Sequence, residues 1–203
     1  VYQSRALLAF LNGIARRSLR ESAEAMRLIK SMNGSSAVIP LHYISALAHL
    51  ELCDQTPEGQ RYLRKHRRAI RRLRKQLRRW SNEAPDNQLH RFYLVEAEWH
   101  RVTNEPHRAL HCYELAVQEA TRVDFLFDQA LAGELAGRFC LQQNRPAFAR
   151  SYGEAARNAF LSWGCPRKVA QLETLFGPDL LPVSNPAIAG GTAQLAAPAP
   201  ARV

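Results

Sequence analysis

Residues 97–116 read AEWHRVTNEPHRALHCYELA and residues 137–156 read GRFCLQQNRPAFARSYGEAA. The two stretches, forty residues apart, follow one plan. Asn104-Glu105-Pro106 opens one helix and Asn144-Arg145-Pro146 opens another, because proline is favoured in a first turn. Ala97, Ala109 and Ala116 recur as Gly137, Ala149 and Ala156. Small residues at those offsets let two helices approach closely, so each stretch reads as a helical hairpin and the pair as a stacked repeat.

Working outward, a first hairpin covers 1–12 and 15–32, broken at Asn12-Gly13, and Asn33-Gly34-Ser35-Ser36 is a loop. A helix starting near Pro40 ends near Asp54. Thr56-Pro57 is an N-cap and first-turn pair for a helix reaching Trp80. After a break at 82–86, helices are expected over 87–103, 105–122, 125–143, 146–163 and 166–176, with Asp124 as the N-cap of the third of these. Gly164 suits a positive φ after the fourth, with Trp163 closing the helix interface. No period-two alternation persists, so the expected class is all-α: antiparallel hairpins stacked as a short solenoid of about nine helices.

The 203 residues are 46% apolar, enough for a packed core. No run of about eighteen uncharged apolar residues suggests a membrane span, and no secretory signal is recognisable. Cys53, Cys112, Cys140 and Cys165 form no CxxC pair. Three of them fall in helical patterns, which suits small hydrophobes in a reduced, cytoplasmic setting. Residues 1–181 read as one repeat domain. Residues 182–203, rich in Ala, Pro and Gly, read as a flexible linker. With Val1 opening the chain, the expectation is a piece of a larger protein.

Eleven of the 28 Lys and Arg lie between Arg61 and Arg79, with no acid from Gln60 to Asn82. Without them, seventeen basic and eighteen acidic residues leave a net −1, so the formal +10 belongs to this one helix. Leu63, His66, Ile70, Leu73, Leu77 and Trp80 form a stripe about 100° wide for docking, opposite the basic face. A solvated or intramolecular face is the default reading. The alternatives are phosphate on nucleic acid, an anionic membrane or an acidic partner. The candidate acidic-partner surface is Arg64, Arg67, Arg68, Arg71, Arg74 and Arg78.

Signatures of chemistry are missing. There is no GxxxxGK[ST] loop to cradle phosphate, no GxSxG elbow and no HExxH pair. His107 and His111 share a helix face beside Cys112, but a third ligand at helical spacing is wanting, so they read as ordinary surface histidines. Glu96 and Glu98 point to different faces and cannot act as a carboxylate pair. No catalytic residue, metal ligand or cofactor is expected within these residues.

The run Trp80-Ser81-Asn82-Glu83-Ala84-Pro85-Asp86-Asn87, then Tyr93-Leu94-Val95-Glu96-Ala97-Glu98, is followed by Tyr113-Glu114-Leu115-Ala116 and Gln129 to Phe139. Trp163-Gly164-Cys165 and Lys168-Val169-Ala170-Gln171-Leu172-Glu173 close it. Together these resemble the tetratricopeptide-like (TPR-like) repeat region of large bacterial signalling proteins built around an AAA-type ATPase. In that family the ATPase often follows a Ser/Thr protein kinase domain and precedes a GAF or PAS sensor and a histidine kinase. The resemblance covers about half of the chain; Cys165 and the arginine density of 61–79 depart from it. It implies a non-catalytic interaction and relay module between an ATP-binding domain and an output domain. ATP would be bound elsewhere in the parent protein, an ATP-binding sensor histidine kinase or Ser/Thr protein kinase. The expected partners are domains of the same parent chain or a separate protein. The alternative is a regulatory protein that binds nucleic acid or an acidic partner through 61–79.

Overall fold

The computed structural model describes residues 2–29 and 38–181. The loop expected at Asn33–Ser36 and the linker expected over 182–203 lie outside them. The described residues form nine α-helices: α1 (Tyr2–Leu11), α2 (Ala15–Ile29), α3 (Val38–Glu51), α4 (Pro57–Glu83), α5 (Pro85–Val102), α6 (Pro106–Arg122), α7 (Leu126–Gln142), α8 (Pro146–Ser162) and α9 (Pro166–Phe176). No strand occurs among them. Each helix packs on the next in an antiparallel stack. The odd-numbered helices also touch one another, α1 on α3, α3 on α5 and α5 on α7. Odd helices therefore make one layer and even helices the other.

One turn serves four successive junctions. Asn104, Asp124, Asn144 and Gly164, at twenty-residue intervals, have φ of 60°, 56°, 55° and 81°. At the first, the N–H of Asn104 donates to Arg101 O (3.3 Å) and that of Glu105 to His100 O (2.9 Å), a Schellman closure. The same two bonds recur after α6, α7 and α8. Asn, Asp and Gly are the residues that tolerate this left-handed position. The repeat thus advances by a single helix, and the forty-residue period is two such steps.

This corrects the reading of Asp124. It is the left-handed residue, not the N-cap, which is Phe125 without a side-chain hydrogen bond. A cap at 124 would leave the closing turn of α6 without its positive-φ residue. Two boundaries also move. α3 ends at Glu51, which places Cys53 in the turn beyond it. α4 runs past Trp80 to Glu83, and only Ala84 separates it from Pro85 at the head of α5. Proline needs no N–H partner at that position and forces the preceding residue out of the helical region, so one residue suffices for the break.

The small residues do what their spacing predicts: Ala97, Ala109, Ala116, Ala149 and Ala156 are fully buried. At Gly137 an added Cβ would come within 2.6 Å of Phe176 Cζ, so the ring of α9 occupies the space that a side chain would need. Trp163 differs from expectation. It is 44% exposed, with its ring centroid 4.9 Å from that of Phe127, and does not close a buried interface.

Candidate functional site

Two surfaces concentrate polar chemistry. The first is the outer side of α4, whose Thr56 cap accepts from the Gly59 N–H at 3.1 Å. Leu63, Ile70 and Leu77 are buried and Trp80 packs edge-on to His42 with centroids 5.1 Å apart, so the apolar stripe docks as its spacing predicts. Arg64, Arg67, Arg68, Arg71 and Arg78 are exposed. Arg74 is not available to a partner. Its Nε and Nη2 each donate at 2.6 Å to the two carboxylate oxygens of Glu96 on α5, and its guanidinium lies 4.2 Å from the centre of the Trp99 ring. This fork and stack hold α4 against α5. Of the six arginines expected to share one surface, five do so and the sixth serves the fold.

The second surface is a groove lined by the odd-numbered helices, which the sequence reading missed. Cavities of about 290 and 250 Å³ lie along it, both lined by Glu51 of α3 and Arg138 of α7. The first also meets the Asn12-Gly13 turn and Lys168 of α9, so the first hairpin and the last helix face the same space. Its charges are paired, two of the pairs across helices. Arg138 Nη2 donates to Glu51 Oε1 at 3.0 Å, and Lys168 Nζ to Glu134 Oε1 at 2.7 Å. Arg101 donates to Glu98 Oε2 from Nε (2.8 Å) and Nη2 (2.6 Å), and Nη2 also reaches Leu50 O at 3.0 Å. The Tyr113 hydroxyl donates to Glu98 Oε1; burial, then the Glu98 charge, hold that phenol well above its ordinary pKa. One signal could have exposed the groove: Glu134 and Arg138 interrupt the otherwise apolar run Leu131–Phe139, which is hard to explain unless each meets a partner.

A buried cluster also ties α5 to α7. Asp128 Oδ2 accepts from His90 Nε2 at 3.1 Å and from Arg91 Nε and Nη2 at 3.0 and 2.9 Å. Burial pushes the Asp128 carboxyl up, but the bonds from His90 and Arg91 outweigh it and hold the pKa below its ordinary value. Tyr43 of α3 is pushed well up by its own burial and then by Asp128.

Cys53 and Cys112 are pushed up to about 11, first by burial, which suits packed thiols rather than nucleophiles. His107 and His111 stand exposed on α6. Among the described residues no three His, Cys, Asp or Glu side chains gather as metal ligands, and no helix is long and apolar enough to cross a membrane. The paired charges of the groove can position a bound segment or couple helix to helix; they present no activated nucleophile among the described residues. Comparison with protein-family models, with curated proteins and with solved structures returns no match.

Proposed function

We propose that this chain is a non-catalytic interaction and relay module of a multidomain signal-transduction protein, placed between an ATP-binding domain and an output domain such as a histidine kinase. The observation that carries the reading is the groove: an ion pair, Glu51–Arg138, joins helices 87 residues apart in sequence inside a stack of hairpins. A stack of this kind changes curvature by small rotations shared over its interfaces. Groove charges that couple those interfaces suit the passage of a conformational signal better than bond chemistry. The resemblance of residues 80–176 to the repeat region of AAA-type ATPase signalling proteins supports the same reading.

Two measurements test it. The purified chain, incubated with Mg-ATP, should release no phosphate above buffer; turnover by pure material overturns the non-catalytic reading. An antibody raised against the chain should detect, in lysate of its source organism, a band several-fold heavier than 23.0 kDa. A band at the chain's own mass overturns the multidomain setting.

A further inference from the structure

The outer face of α4 has an unusual property: every exposed position from 61 to 79 is lysine or arginine. At about 100° per residue, these ten side chains cover an arc of about 160°, centred opposite the buried stripe, over about 27 Å of helix. Their directions step around the arc by about 20° without a gap. Arg67 lies at one edge and Lys65 at the other, with Lys75 near the middle. Of these ten, among the described residues, only Arg79 has an ion pair, with Glu83 at 2.8 Å, and Arg67 lies 5.9 Å from the centre of the Trp99 ring. Nor can the rest of the chain supply the missing charge, because residues 30–37 and 182–203 contain no Asp or Glu. A neutralising macromolecular anion has to lie outside these 203 residues.

We propose that this face binds double-stranded DNA without regard to sequence, with α4 lying along the major groove and the two edges of the basic arc on opposite phosphate strands. The width of the arc decides between candidate polyanions. A helix with its side chains is about 10–12 Å across and matches a major groove about 12 Å wide, whose two walls both carry phosphate. A flat membrane would meet only the crest of the arc, and the apolar stripe that could insert into it is buried in the fold. One extended acidic peptide would cover only part of the arc. Single strands would want exposed aromatics to stack on, and the face has none. Arginine supplies eight of the ten cations, which suits bidentate phosphate contacts. Side chains that favour adenine or cytosine edges, Asn, Gln, Glu and Asp, are missing from the exposed face. The surface lies on the even layer, apart from the inner groove, and does not depend on the relay reading.

The test is fluorescence anisotropy of two unrelated 24-base-pair duplexes with the purified full chain. Micromolar binding is expected at 50 mM NaCl, equal for both sequences within about threefold. With about six phosphates neutralised, it should weaken about a thousandfold by 200 mM. The variant R64Q/R68Q/R71Q/K75Q, all at exposed positions, should bind at least about tenfold more weakly, with a salt slope shallower by about 3–4. A control R17Q/R27Q/R108Q/R150Q removes the same charge elsewhere and should change binding less than threefold. The half-sets R64Q/R68Q and R71Q/K75Q should each give about half the slope change, which keeps the test usable if the fourfold variant fails to fold. Absence of duplex binding at 50 mM, or an equal loss in the control, overturns the proposal. So does tighter binding of single-stranded DNA, phosphatidylserine vesicles or polyglutamate than of duplex.

Discussion

Asp128 accepts three hydrogen bonds on one oxygen, two from Arg91 and one from His90, at a buried point between α5 and α7. Asp128→Ala would strand His90 in the interior and leave a partly buried arginine unpaired. The expected cost is about 3 kcal/mol, the low end for breaking a buried pair because Arg91 keeps some solvent contact. Urea unfolding at pH 7 measures it; a loss under about 1 kcal/mol would mean that the cluster does not hold the two helices. Because the folded carboxyl titrates below its ordinary value, its stabilisation is complete above the ordinary carboxylate range and disappears as pH falls through the folded pKa. His49 has the opposite chemistry and the same direction. Burial, then the neighbouring His66, push it down to about 4, and its Nδ1 shares a hydrogen bond with the Tyr62 hydroxyl at 2.8 Å. An unfolded histidine binds a proton near 6.5, so stability should decline between pH 6.5 and 4, by about 1–2 kcal/mol after allowance for partial exposure. His49→Gln should flatten that limb of a stability-against-pH series; an unchanged limb would assign it to other groups. Neither arrangement is legible in the sequence. Asp128 lies 37 residues from Arg91 and His49 lies 13 from Tyr62, so each meeting depends on which helix faces pack together.

The helices themselves were far more legible, because proline and the left-handed residue punctuate them from either side. Pro106, Pro146 and Pro166 stand at N1, two residues after Asn104, Asn144 and Gly164. Where Leu126 replaces proline, half of that signal is lost, and Asp124 reads as a cap from sequence alone. The turn also has a measurable strength. Asn144→Ala puts a methyl side chain at φ 55° and should destabilise by about 1 kcal/mol, whereas Asn144→Gly should change little. Equal unfolding midpoints for the two would remove the left-handed position as a determinant of the repeat. Within α4, the same reasoning separates two arginines that the sequence made equivalent. Arg74→Gln loses the Glu96 fork and the Trp99 stack and should cost about 1 kcal/mol, while the exposed Arg71→Gln should stay within about 0.5 kcal/mol. Thermal melts of the two purified variants decide this, and equal melting temperatures would return Arg74 to the solvent face.

At the scale of the molecule, the issue is what sets the curvature of the stack. In a strictly one-dimensional array each helix meets only its neighbours, and removing one contact is felt at one interface. Here Arg138 of α7 reaches Glu51 of α3, and one cavity is lined by the α1–α2 turn, by α7 and by α9. The array is therefore curled enough for its two ends to share a wall, with the Glu51–Arg138 pair bridging the curl. That pair is about a third exposed, with side-chain exposures of 26% and 35%, so its contribution is modest and sensitive to salt. A double-mutant cycle of Glu51→Gln and Arg138→Gln should give a coupling of about 0.5–1 kcal/mol at low salt, shrinking toward zero in 1 M NaCl. X-ray scattering of Arg138→Gln should show a larger radius of gyration with unchanged helix content, since the bridge is lost while every hairpin remains. Additive single variants with an unchanged radius would show that hairpin packing alone sets the curl. A curvature that responds to one ion pair is what a relay requires, because an event at one end of the stack can then bias the geometry at the other.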